Sequence, residues 1–214
     1  MFSLSENAAK DTHENHRDAL FEHNRNFFMR VYPYGLRVNS SNLDPAFHWR
    51  RGAQIVALNW QNLDKGTMLN HAMFRGEPGW VLKPDGYRSS DHTAPIVRCN
   101  LDLKIEFFAG QDLVLPPGDT KEKGFHPYVS CCLHVEQPGE DTGAPTEDDS
   151  TDTEKNSYKR TTKSSVGVTP DFGSQTIHFP AITGIVEDLS FLRSVALLTS
   201  YSIYPIEPMT NIHL

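Results

Sequence analysis

The sequence predicts an α/β unit with parallel strands followed by an all-β unit of antiparallel sandwich type. Two observations carry this. Before residue 89 the short apolar runs are apolar on both faces, residues 54–60 being the clearest, and such runs suit parallel strands covered by helices. Beyond residue 98 the period becomes two. Leu101, Leu103, Ile105 and Phe107 alternate with Asp102, Lys104 and Glu106, and Val129, Cys131, Leu133 and Val135 alternate in the same way, as half-buried antiparallel strands do.

Taken in order, residues 5–28 read as a helix. Ser5, Glu6 and Asn7 can start it, and Ala8, Ala9, Leu20 and Phe21 give a partial apolar stripe. Phe27-Phe28-Met29-Arg30-Val31-Tyr32-Pro33 is an apolar run ended by proline, a strand entering a loop. Residues 54–60 and 79–84 are read as two further strands. Three strands cannot close a barrel or complete a doubly wound sheet. Residues 89–97 are polar, contain Pro95, and form the linker. From about residue 137 to 160 acids, Ser, Thr, Gly and Pro replace apolar residues; such a segment cannot bury enough surface to offset its ordering entropy, so a disordered acidic insertion is expected. Its acids lack the spaced ligand loop of a calcium site.

The chain has 214 residues and a formal net charge of −7, which argues against a nucleic-acid binder, since neutralising phosphates needs clustered Lys and Arg. No uninterrupted apolar run reaches transmembrane length, and residues 1–18 are too polar for a signal-peptide core. The three cysteines, Cys99, Cys131 and Cys132, form no Cys-x-x-Cys pair and no disulfide framework, so a reducing, cytoplasmic setting is expected. There the Asn39-Ser40-Ser41 glycosylation match carries no meaning. His13 and His16 share a helical spacing that can bind zinc, but no third ligand is evident and they are read as surface histidines.

Several stretches resemble one family. Phe2-Ser3-Leu4-Ser5-Glu6-Asn7 is similar to a Ser-Phe-Ser-Glu-Asn stretch, and His23-Asn24 to a His-Asn pair. Arg30-Val31-Tyr32-Pro33 with Arg37-Val38-Asn39-Ser40-Ser41-Asn42 resembles an Arg-[Ile/Val]-Tyr-Pro…Asp-Ser-Ser-Asn signature. The segment from Trp49 to Trp60 resembles Trp-Asn-x-Gly-Cys-Gln-x-Val-Ala-Leu-Asn-[Phe/Trp], and Gly79-Trp80-Val81-Leu82-Lys83-Pro84 resembles Gly-Tyr-x-Leu-Lys-Pro. In order and spacing these resemble the Y half of the eukaryotic, fungal-like phosphoinositide-specific phospholipases C. After the linker, Leu103 to Leu115 and Phe125-His126-Pro127-Tyr128-Val129 resemble, more loosely, the C2 domain that follows the barrel in that family. The likeness fades after Arg193.

The resemblance implies a partial (β/α) TIM barrel, its second half, over residues 1–88, the linker at 89–97, and a truncated C2-type antiparallel sandwich over 98–214 with an atypical end after 193. It implies hydrolysis of phosphatidylinositol 4,5-bisphosphate to diacylglycerol and inositol trisphosphate, with calcium as the cofactor of the full-length enzyme. The catalytic histidines and calcium ligands of the family belong to an X half that this chain does not match, so no catalytic residue is assigned and the chain is expected to be inactive alone. What it carries by residue-by-residue match is recognition of the head group: Arg30 and Ser3 for the ring phosphates, Tyr32 for the inositol ring. Arg offers a planar fork of donors to phosphate oxygens, and Ser adds a hydroxyl. No metal is expected to be bound; Asp112 and Asp119 are the weak candidates, because His126 stands where the C2 motif has aspartate and imidazole is a poor calcium ligand. Expected partners are the head group, a membrane surface held peripherally, and the missing X half. The alternative is a non-catalytic C2-type membrane-binding module.

Overall fold

The computed structural model describes residues 1–91, 93–115, 124–135 and 158–198. Both helices and sheets are present, in two arrangements. The first is a parallel sheet of three strands in the order β1-β2-β3: β1 (Phe2–Ser5), β2 (Met29–Tyr32) and β3 (Ile55–Val56). Helix α1 (Glu6–Asn26) connects β1 to β2, while α2 (Pro45–Trp49) precedes β3 and α3 (Lys65–Phe74) follows it.

Local chemistry explains the helix starts. The Ser5 hydroxyl accepts from Ala8 N at 3.3 Å, and Asp44 and Asp64 cap α2 and α3 in the same way. One face of the sheet packs on α1: Met29, Val31, Ala9, Leu20 and Ala53 are buried together, with Leu4 against them.

Two expected strands differ from what is observed. Residues 79–84 form none. Gly79 has φ +97°, the Lys83 ammonium donates to the carbonyls of Asn24 at 2.8 Å and Gly52 at 3.4 Å, and Trp80 and Leu82 stay exposed. The third strand is instead β1, whose first three residues precede the helix read from residue 5 and whose last, Ser5, is the expected start of that helix. Of residues 54–60 only two pair as β3. Ala57 N still donates to Val31 O at 2.8 Å, but Asn59 N is then drawn to the Asn42 side chain at 2.5 Å and the chain leaves the sheet.

The second arrangement is antiparallel. β4 (Cys99–Ala109) pairs with β7 (Asp171–Ile185), and β5 (Pro127–His134) lies between β6 (Lys159–Thr161) and β8 (Phe191–Leu198). The two sheets enclose Val129, Cys131, Leu133, Ile177, Phe179 and Ile182. β4 alternates as expected. β5 does not: seven of its eight residues are buried, because α2 and α3 cover part of the other face of its sheet. β6 begins at Lys159, so the segment read as a disordered insertion ends earlier than 160; residues 136–157 lie outside the described residues. β8 runs on past Arg193 to Leu198.

Candidate functional site

The parallel register builds the site. Ser3 is the partner of Arg30, and Ser5 of Tyr32. Side chains alternate along a strand, so Met29 and Val31 go to the helix-covered face while Arg30 and Tyr32 share the other. The Arg30 guanidinium carbon lies 5.1 Å from the centroid of the Tyr32 ring. Arg30 is half-buried, and Ser3 and Tyr32 are exposed. Among the described residues no carboxylate pairs with Arg30. Tyr32 is the last residue of β2, and ligands of parallel α/β sheets gather at the carboxyl ends of the strands. The sheet thus presents a cation, an aromatic face and a hydroxyl together.

Behind this face lies a clamp. The Glu6 carboxylate is 2% exposed and takes both branches of the Arg37 guanidinium, at 2.5 and 2.7 Å, plus the backbone N–H of Tyr34 at 2.8 Å. Burial pushes the Glu6 carboxyl up, but the Arg37 fork and the Tyr34 amide outweigh it and hold it below its ordinary value. Arg37 also donates to Ser41 at 2.7 Å. Asn42 then ties this loop to the one after β3: its amide donates to the carbonyls of Asn59 and Asn62, both at 3.2 Å, and to Thr67 Oγ1 at 3.0 Å. The loop between β2 and α2 is therefore fixed at both ends, while Tyr34, Leu36 and Val38 are exposed along it.

A second polar cluster closes the opposite end of the strands. Gln54 accepts from Met29 N at 2.9 Å and donates to Asn24 O at 2.6 Å; the fully buried Asn24 amide donates to Arg51 O at 2.9 Å. Lys83 joins at Asn24 O, and burial, with Arg25 nearby, lowers its pKa to about 8. Glu6, Arg37, Asn42, Gln54 and Lys83 were not singled out by sequence reasoning. Their only signal was position: each lies inside a stretch that resembles a family motif.

The remaining candidates lie apart. His13 is not at the surface: it is 8% exposed, with its ring 6.0 Å from and edge-on to Phe47. His16 has φ −142° and ψ 44°, a kink in α1, so the two do not share one regular helix face. Asp112 sits on an exposed turn at φ +50°; Asp119 lies outside the described residues. His126 is exposed. Among the described residues no group of three or more His, Cys, Asp or Glu side chains could hold a metal ion. No helix among them is long and apolar enough to cross a membrane.

Comparison with known proteins bears on the same strands. Residues 1–86 match the family model for phosphatidylinositol-specific phospholipase C, Y domain. The chain is a relative of the phosphoinositide-specific phospholipases C. It is 31% identical over 210 residues to 1-phosphatidylinositol 4,5-bisphosphate phosphodiesterase 1 of Candida albicans, which covers 87% of this chain and 18% of that protein. It is 45% identical over 75 residues to the human gamma-2 phosphodiesterase of the same name, covering 34% of this chain and 6% of that protein. The crystal structure of L. pealei PLC21 superimposes with a TM-score of 0.67 at 24% identity, over 94% of this chain and 24% of that one. The likeness in fold thus extends over both the parallel and the antiparallel arrangement, and the chain spans less than a fifth of the length of these curated relatives.

Proposed function

We propose that this chain is the head-group recognition part of a phosphoinositide phospholipase C whose substrate is phosphatidylinositol 4,5-bisphosphate. In this reading residues 1–88 are the second half of a TIM barrel, 89–97 the linker and 98–214 a C2-type sandwich. Arg30 and Ser3 take ring phosphates, and the Tyr32 face covers the apolar side of the inositol ring. The observation that carries it is the register that sets Ser3 beside Arg30, with the Arg30 guanidinium resting over Tyr32 at the mouth of a parallel sheet. Arg–phosphate bonds are charge-assisted and strong, and a guanidinium already placed over a ring gives up little freedom on binding. The exposed Tyr34, Leu36 and Val38, on a loop clamped by Glu6, support peripheral contact of the same rim with lipid.

Among the described residues no cluster of three or more His, Cys, Asp or Glu side chains could hold calcium. With no catalytic residue assigned, the chain alone binds the head group without hydrolysing it. Titration calorimetry of the purified chain with inositol 1,4,5-trisphosphate tests this. Arg30→Ala is expected to weaken binding by roughly tenfold or more, Tyr32→Ala by less, and Ser3→Ala least. Binding untouched by Arg30→Ala, or chelator-sensitive turnover of phosphatidylinositol 4,5-bisphosphate by the chain alone, overturns the reading.

A further inference from the structure

The two sheet systems share a buried seam. Trp49, Leu69 and Met73 of α2 and α3 pack with Val186, Leu189 and Phe191, and the Trp49 ring lies 5.8 Å from Phe191. Such contacts hold surfaces together without fixing their angle, because apolar burial is non-directional. The polar rim supplies direction. Arg50 caps the carboxyl end of α2. Its Nε donates to Leu189 O at 3.2 Å, and one terminal nitrogen donates to Leu189 O at 3.0 Å and to His134 O at 2.9 Å.

These two carbonyls mark one place in the antiparallel sheet. His134 is the last residue of β5 and pairs with Phe191, the first residue of β8; Leu189 ends the turn that leads into β8. One guanidinium therefore closes the end of that sheet and anchors it to a helix 84 and 139 residues away in sequence. The His134 ring is buried with Nε2 lacking a hydrogen-bond partner, and burial, then Lys65, hold it neutral beside Asp44, Arg50 and Arg193. Position 50 is where the resembling stretch has asparagine, a shorter side chain with two N–H donors against the five of a guanidinium.

We propose that Arg50 is a positioning residue that locks the β5–β8 sheet end onto α2, so that the two sheet systems move as one body. The same α2 follows the loop that leaves Tyr32 and is pinned by Glu6 and Asn42, so Arg50 sets the orientation of the antiparallel unit relative to the Arg30–Tyr32 face. The inference rests on the seam and not on the phospholipase reading.

The full chain tests it, in a Trp60→Phe, Trp80→Phe background that leaves Trp49 as the one remaining tryptophan; the two replaced residues are 64% and 66% exposed. Arg50→Asn is expected to shift Trp49 emission to the red with unchanged far-UV circular dichroism. Amide exchange should rise together in residues 45–49 and 187–193 while β4 and β7 stay protected. The melting temperature should fall by about 5 °C. Arg50→Lys, which keeps the charge but not the fork, should give the same changes at smaller size, and it is read alone should Arg50→Asn not fold. A lowered melting temperature with neither the emission shift nor coupled exchange is a local stability effect and overturns the proposal, as does no change at all.

Discussion

The parallel and antiparallel units are held together by different physics. β1, β2 and β3 have four, four and two residues, too few to satisfy their own ends. Side chains complete them: Glu6 on Tyr34 N, Gln54 on Met29 N and Asn24 O, Asn42 on the loop after β3, Lys83 on Asn24 O. β4 and β7 have 11 and 15 residues, pair along most of their length, and enclose an apolar layer with β5. The difference teaches how to read a motif-dense segment. Glu6, Asn42, Gln54 and Lys83, all within motif stretches, serve the backbone, whereas Ser3, Arg30 and Tyr32 are the ones proposed to face the head group.

The comparison can be broken by two substitutions measured in urea. Phe179 is 1% exposed between the two antiparallel sheets, and Phe179→Ala is expected to cost about 4 kcal/mol through lost burial and the cavity left behind. Glu6→Ala leaves the Arg37 fork and the Tyr34 amide without their acceptor, and removing one partner of a buried pair costs about 3 kcal/mol. The second variant should also raise amide exchange at Tyr34, which the first should not. A loss under about 1 kcal/mol for Glu6→Ala would mean that water replaces the clamp, and that the parallel unit relies on apolar packing after all.

The same contrast explains what was legible in the sequence. Alternation announced β4, and the helix signals announced α1 close to its observed ends. The match to a motif, not the pattern, pointed to Arg30 and Tyr32. β1 was missed because residues 2–4 are too short a run to announce a strand and its last residue, Ser5, is also the cap of α1. Residues 79–84 have strand-like composition, but Gly79 at positive φ and the tether of Lys83 are facts of the backbone and of tertiary contact. β5 was expected to be half-exposed because nothing local says that α2 and α3 cover the far side of its sheet. Glu6, Gln54 and Lys83 satisfy partners 25 to 59 residues away, a range that no window reveals.

The smallest expected effect concerns Lys83, where the polar cluster opposes its own charge. Burial first, and Arg25 second, lower its pKa from 10.5 to about 8. Below pH 8 the ammonium is protonated both folded and unfolded, and the full cost of burying the charge is present. Between pH 8 and 10.5 the unfolded chain binds more protons than the folded one, so stability rises with pH; above 10.5 the cost is gone. The side chain is only half-buried, and solvent screening reduces the gain to about 1 kcal/mol. Tyrosines and cysteines titrate over the same range, so the quantity to measure is the difference in alkaline slope between the native chain and Lys83→Met. Lys83→Met should show the less positive slope of the two even if it is less stable at every pH, because it loses the bond to Asn24 O. Equal slopes would mean that the ammonium is as well solvated at Asn24 O as in water, and that this end of the parallel unit carries no penalty for its charge.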